Sequence, residues 1–117
     1  SRCDMASLFT KILQGEIPSQ IIYQDEYCFA ISDIQPQAPH HYLIIPKKEI
    51  VSVADSESQD QAALGQLLLA AKKIAQDKGF SERGYRLVIN TNSDGGQTVP
   101  HLHVHLLAGR KLTWPPG

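Results

Sequence analysis

The chain predicts an α+β domain, with a mostly antiparallel sheet of about five strands, one short N-terminal helix and one long helix. Two observations carry that reading. Apolar residues recur at three- and four-residue spacing through 57–78, the signature of one long amphipathic helix. Short runs rich in β-branched and aromatic residues at 21–24, 27–32, 41–45 and 85–91 are bounded by Gly, Pro and Asp, as strands are. The resulting order is helix, three strands, long helix, two strands, which argues for a sheet carrying its helices on one side.

Each element has its own warrant. Ser7-Leu8-Phe9-Thr10-Lys11-Ile12-Leu13-Gln14 reads as a helix capped by Ser7 and stopped by Gly15. Glu16-Ile17-Pro18 breaks the pattern. Strands at 21–24 and 27–32 flank Asp25-Glu26, a hairpin turn. The segment from Asp33 to Pro39 is a loop stiffened by two prolines, and the strand at 41–45 ends at Pro46-Lys47. In the long helix, Ala63, Leu64, Leu67, Leu68, Ala71, Ile74 and Ala75 form the apolar stripe, and Gly79 supplies the stop. Leu69 widens that stripe beyond what one core requires, which reads as a singly exposed leucine or as contact with a second subunit. The strand at 85–91, a glycine-rich loop over 93–100 and a histidine-bearing strand to about Ala108 complete the chain.

Composition sets the bounds. At 117 residues the chain predicts one domain spanning 1–117. Ser1-Arg2-Cys3-Asp4 precedes Met5 and reads as a remnant of cloning. A net charge of -1 with 20% charged residues argues against direct nucleic-acid binding and against attraction to anionic membranes. No apolar run approaches the roughly 18 residues of a membrane helix, and no signal pattern opens the chain, so the expected address is cytoplasmic. Lys47-Lys48 and Lys72-Lys73 read as solvated pairs. Cys3 and Cys28 are too far apart in sequence for a metal motif, and Cys28 reads as a small buried strand residue.

The chemistry concentrates in His101-Leu102-His103-Val104-His105, which holds three of the five histidines. In an extended strand side chains alternate between faces, so all three imidazoles project one way while Leu102, Val104 and Leu106 enter a core. Imidazole titrates closest to neutrality and can serve as nucleophile, proton carrier or metal ligand. Gly95-Gly96 beside Gln97, Thr98 and Val99 suits an anion, because glycine lets amides approach closely and threonine adds a hydroxyl. Asn90 and Gln97 offer side-chain amides to the same anion. Asp33, beside apolar Leu8, Phe9, Ile12, Ile31 and Ile34, suits a ribose diol under an enclosed base. A zinc site built from the His-x-His spacing with Asp33 or Asp94 is the competing reading; we expect neither metal nor cofactor.

These residues resemble the histidine triad (HIT) superfamily. His101-Leu102-His103-Val104-His105-Leu106-Leu107 is similar to its His-x-His-x-His signature followed by two apolar residues. The likeness extends through Phe9-x-Lys11-Ile12, Glu16-Ile17-Pro18, Asp33-Ile34-x-Pro36-Gln37-Ala38-Pro39, Ile45-Pro46-Lys47-Lys48, Gly84-Tyr85-Arg86 and Ser93-Asp94-Gly95-Gly96-Gln97. The ending Trp114-Pro115-Pro116-Gly117 resembles the Hint branch, the purine nucleoside phosphoramidases.

The resemblance implies a HIT-like fold and a homodimer in which the long helix and C-terminal segment pack across the two-fold. It also implies hydrolysis of the P–N bond of adenosine 5'-phosphoramidates and aminoacyl-adenylate-type substrates, so that the partner is an AMP-type purine nucleotide. It makes His103 the nucleophile, with His105 assisting the leaving group or stabilising phosphate oxygens. His101 and His41 orient that pair. Asn90 and Thr98 contact phosphate or leaving group, Asp33 the ribose, and Phe9 and Ile34 the base. Thr98, Pro100 and Ala108 stand where the Hint pattern commonly has serine, tyrosine and glycine. The segment 96–101 is closer to other branches, which keeps dinucleoside polyphosphate hydrolysis as the alternative, with nucleotide-binding regulation as a third reading.

Overall fold

The computed structural model describes residues 6–117; the expected cloning remnant lies outside the described residues. Five strands, β1 (Ile21–Gln24), β2 (Cys28–Ser32), β3 (His40–Pro46), β4 (Arg86–Val88) and β5 (Val104–Ala108), form one sheet in the order β1-β2-β3-β5-β4. Every pairing is antiparallel. Helix α1 spans Leu8–Leu13 and helix α2 spans Gln61–Lys78.

The ends of both helices follow from their residues. The Ser7 hydroxyl accepts the Thr10 amide at 3.0 Å and caps α1, while Gly79, at φ 85°, closes α2 in the left-handed region. Helix α2 begins later than the apolar spacing suggests. Residues 53–60 form two 3₁₀ turns, Val53–Asp55 and Ser58–Asp60, and Glu57 and Asp60 exchange side-chain-to-backbone bonds as a capping box. With those amides satisfied locally, the α-helix starts only at Gln61.

Both strands of the β4–β5 pair are shorter than expected. The Leu102 amide donates to the Ile50 carbonyl at 2.7 Å and the His101 amide to Val99 at 2.8 Å, so 101–103 leave the sheet ladder and β5 starts at Val104. The last pairing of β4 is Val88 with His105, and residues 89–91 have no strand to pair with. Side-chain alternation nevertheless survives through the unpaired segment: Leu102, Val104 and Leu106 are fully buried in one core cluster.

The helices lie on opposite faces of the sheet rather than on one. Phe9 and Ile12 of α1 pack with Phe29, Ile31, Leu43 and Ile45. Leu67, Ala70, Ala71 and Ile74 of α2 pack with Cys28, Ala30, Ile44 and Val104. Alternation along β2 and β3 sends neighbouring residues to the two clusters, so each strand serves two cores. The Asp25 turn is held by the Tyr23 hydroxyl at 2.6 Å and by Gln66 of α2 at 2.8 Å. Burial pushes the Asp25 carboxyl up, but these bonds and two backbone amides outweigh it and hold it at about 2. Cys28 is buried and unpaired, and burial with the Asp25 charge pushes its thiol up to about 12, which makes it a packing residue rather than a nucleophile.

Candidate active site

The histidines meet on the α1 face of the sheet. His41 and Leu43 of β3 lie opposite Leu107 and His105 of β5, and antiparallel partners share a face. His103 and His105 sit with ring centroids 5.0 Å apart, and the Phe9 ring meets His103 edge-on at 5.1 Å.

His101 is fully buried, with a partner at each ring nitrogen. Its Nε2 faces the Pro46 carbonyl at 2.8 Å, and a carbonyl only accepts, so Nε2 carries the proton. Nδ1 therefore accepts from the Ser7 hydroxyl at 2.5 Å. The Ser7 amide is anchored on the Glu49 carboxylate at 2.8 Å. Bonds from Thr10 and Ser7 hold that carboxyl below its usual range. Burial pushes the His101 pKa down against the opposing pull of Pro46 and Glu49, so the ring is neutral.

The backbone of His101 then sets His103. The His103 Nδ1–H donates to the His101 carbonyl at 2.7 Å, which leaves the lone pair on Nε2. No buried side-chain nitrogen or oxygen among the described residues lacks a partner. The unpartnered Nε2 of His103 is accordingly an atom that reaches the surface.

A second chain of bonds sets His105. The Gln37 amide donates to His41 Nδ1 at 3.0 Å, so the His41 proton sits on Nε2. That N–H points to His105 Nδ1 at 2.9 Å, with Asp33 Oδ2 at 3.4 Å from the same nitrogen. His105 accepts at Nδ1 and keeps its own proton on Nε2. Burial, then the neighbouring His103 and His41, push its pKa down to about 4. Burial likewise pushes His41 down, opposed by Asp33. The site thus presents a bare nitrogen on His103 beside an N–H on His105.

Asp33, His41 and His105 each bring one donor atom within 4.8 Å of the others, the spacing of a metal site. The tautomers argue against that use. A metal on His41 Nε2 would move the proton to Nδ1, directly against the Gln37 amide. Asp94, the other carboxylate considered, is exposed and outside the trio.

The glycine-rich loop contains a single helical turn, Asn92–Gly95, closed by Gly96 at φ 83°. Gly95 packs its Cα side against the Asn90 backbone, where an added Cβ would lie 3.7 Å away. The side chain of Gln97 is spent inside the loop: its amide nitrogen donates to the carbonyls of Val51 at 2.6 Å and Val99 at 3.1 Å, and its oxygen accepts the Asn92 amide. The backbone amides of Gly96 and Gln97 bond Ser93 and Asn92. Those of Thr98 and Val99 meet no acceptor among the described residues. The Val99 side chain packs against the Phe9 cluster. Ile34, 95% exposed, and Leu8, 46% exposed, stand outside the core; Phe9 is buried against the histidines.

Sequence patterns brought His41, His101, His103, His105 and Asp33 to notice but not the groups that orient them. Ser7 reads as a helix cap and Gln37 as loop, and Glu49 draws no reading at all. Only the position of Gln37, four residues before His41 in a proline-stiffened loop, hints at its bond.

Comparison with known proteins agrees with the geometry. The HIT domain family model matches residues 14–112. An uncharacterized HIT-like protein of Synechococcus elongatus is 53% identical over 111 residues, covering 95% of this chain and 96% of that protein. The crystal structure of a HIT family hydrolase from Legionella pneumophila superposes with a TM-score of 0.92 at 54% identity, covering 96% of this chain and 100% of the other. A histidine triad nucleotide-binding protein from Candida albicans gives a TM-score of 0.80 at 30% identity, over 94% and 83% of the two chains. No helix of the described residues is long and apolar enough to cross a membrane. By sequence, by fold and by the arrangement of its histidines, the chain belongs to the HIT domain family.

Proposed function

We propose that this chain is a hydrolase acting on purine nucleoside phosphoramidates, through a covalent nucleotidyl-histidine. The observation that carries the reading is the pair of opposed tautomers: His103 with its Nε2 lone pair bare, His105 with its Nε2 protonated. Similarity to the Legionella HIT family hydrolase and the Candida nucleotide-binding protein supports the class of reaction.

In the proposed reaction His103 Nε2 attacks the α-phosphorus and a P–Nε2 bond forms as the P–N bond to the amine breaks. The leaving nitrogen takes a proton from solvent as the P–N bond breaks and departs as neutral amine, and the proton that water releases in the second step balances it. The positive charge left on His103 is met by the His101 carbonyl at Nδ1. His105 Nε2–H and the open amides of Thr98 and Val99 donate to the phosphoryl oxygens and leaving group. Water then attacks phosphorus from the vacated side, releases a proton to solvent and returns His103 to its neutral form. Two displacements spare water from opposing a poor leaving group unaided. Asp33 holds the ribose, with Phe9, Ile34 and Leu8 around the base. Asn90 reaches the phosphate, and Gln97 and Gly96 hold the loop that presents Thr98.

A homodimer working in the cytoplasm completes this reading. Its support is the exposed pair Leu68 and Leu69 on α2, beside an apolar groove of about 540 Å³ that includes Val53, Leu64 and Ile89. Sedimentation equilibrium reads the mass directly, and a monomer at micromolar concentration overturns the dimer.

The experiment for the reaction is release of free amine from an adenosine 5'-phosphoramidate by wild type and His103→Ala, each with and without chelator. We expect chelator-insensitive turnover that the substitution abolishes while AMP binding persists. Retained turnover in His103→Ala refutes the nucleophile. No turnover in wild type, with cleavage of dinucleoside polyphosphates instead, moves the chain to that branch; AMP binding without either activity makes it a nucleotide-binding regulator.

A further inference from the structure

Between the end of α2, the start of β4 and the segment after β5 lies a cavity of about 450 Å³ whose lining includes Lys78, Arg83, Arg86, Arg110 and Lys111. The whole chain has eleven lysines and arginines and a net charge of -1. Five of those eleven cations therefore line one concavity, and no Asp or Glu lines it with them. The volume falls within the roughly 300–1,000 Å³ of small-molecule sites.

None of the five forms an ion pair with a carboxylate of the described residues, where the pairs found are His41–Asp33, Lys48–Asp60 and Lys73–Asp77. Three of them are held by neutral or aromatic groups. Arg110 donates to the Gln37 carbonyl at 2.9 Å, Arg86 lies 5.9 Å from the Trp114 ring centroid, and Lys78 lies 5.8 Å from that of Tyr42. Such contacts orient a cation without neutralising it. The C-terminal end of α2 favours Lys78, but the helix dipole fades within one turn and does not account for the other four. Glu82, in the same stretch of chain, is exposed and stays out of the lining.

None of His41, His101, His103 and His105 lines the cavity. His40, which lines it, precedes His41 on β3 and so faces the other way. Its ring packs on Phe80 at 4.8 Å within the α2-side core. We propose that this cavity is a second ligand site, for a condensed phosphate: a chain of phosphoryl groups whose several charges match the lysines and arginines gathered along its lining. Arginine suits the phosphate oxygens because its fork donates two parallel bonds. Phe80 and Tyr85 also line the cavity, so the chain of phosphates can come from inorganic triphosphate or from a nucleoside triphosphate.

The test uses the whole protein, with Trp114, its single tryptophan, as reporter of changes at Arg86. Inorganic triphosphate is titrated at physiological ionic strength, by calorimetry and by Trp114 fluorescence. We expect saturable binding of one triphosphate per chain. Arg83→Gln with Lys111→Gln, neither of which bonds another described residue through its side chain, should weaken it at least about tenfold. Lys72→Gln with Lys73→Gln, which removes equal charge from α2 outside the cavity, should change it by less than about twofold. ATP titrated with saturating AMP present identifies the source: equal affinity assigns the site to the phosphate chain, and tighter binding to a nucleotide. Absence of saturable triphosphate binding overturns the proposal, as does equal weakening by both double variants. The triphosphate arm needs no activity at His103, so it stands or falls separately from the phosphoramidase reading.

Discussion

His41 hands its Nε2 proton to a hydrogen bond with His105 Nδ1 at 2.9 Å, although the two residues are 64 positions apart in the chain. The Gln37 amide, at 3.0 Å from His41 Nδ1, sets that direction. One backbone N–H in a proline-stiffened loop thereby decides which nitrogen of His105 carries the proton. Replacing His41 by Ala frees His105 to adopt either tautomer. Amine release should fall by about 10²-fold, within the range for misplaced proton-bearing groups, with AMP affinity close to wild type. ¹⁵N shifts of His105 should change from a single Nε2–H form to a mixture. An unchanged rate, or an unchanged tautomer, refutes the relay.

Ser7 bonds His101 as well as capping α1. In Ser7→Ala the buried Nδ1 of His101 has no donor, at a cost of about 1–3 kcal/mol. The His101 ring and carbonyl should shift and His103 with them. We expect kcat to fall with little change in KM, and Ser7→Thr to restore it. A lower melting temperature with unaltered kcat would reduce Ser7 to a cap.

Stability should depend on pH in two separate windows. His105 is held at about 4 in the folded chain, against 6.5 for the free group. Between those values the unfolded chain binds the proton and the folded chain does not, so stability declines as pH falls from about 6.5 to about 4. His41 and His101, also lowered, add to the same decline. Asp25, at about 2 when folded against 3.8, removes stability only below about pH 4. Calorimetry from pH 7 to 4 should show the melting temperature drop by on the order of 10 °C. A flat profile across that range contradicts the buried, neutral histidines.

Gly109 is needed by its surroundings. It sits at φ 101°, and an added Cβ would lie 2.7 Å from Pro39 Cβ and 3.2 Å from His40 Cδ2. Gly109→Ala should cost about 1–3 kcal/mol from backbone strain alone, with a further penalty from the clash, and lower the melting temperature by several degrees. Because Pro39 and His40 lead directly into His41, amine release should fall too. An unaltered melting temperature would mean that the turn yields.

Period and punctuation in the sequence were enough to determine the fold class, the helix stops at Gly15 and Gly79, the hairpin at Asp25 and the common face of His101, His103 and His105. These are local properties: side-chain alternation, left-handed glycine and turn chemistry act within a few residues. What lay beyond reach depends on partners distant in the chain. The ladder stops at Val104 because Leu102 bonds Ile50, and α1 and α2 take opposite faces because β2 and β3 feed two cores. The tautomers of His103 and His105 rest on a backbone carbonyl and a loop amide, and the His101 ring is held by a helix-cap hydroxyl, groups that any sequence offers in quantity. Only the tertiary structure decides which of them stands within 3 Å of an imidazole. A hydrogen bond acts over that distance, and the pattern of residue types carries no record of it.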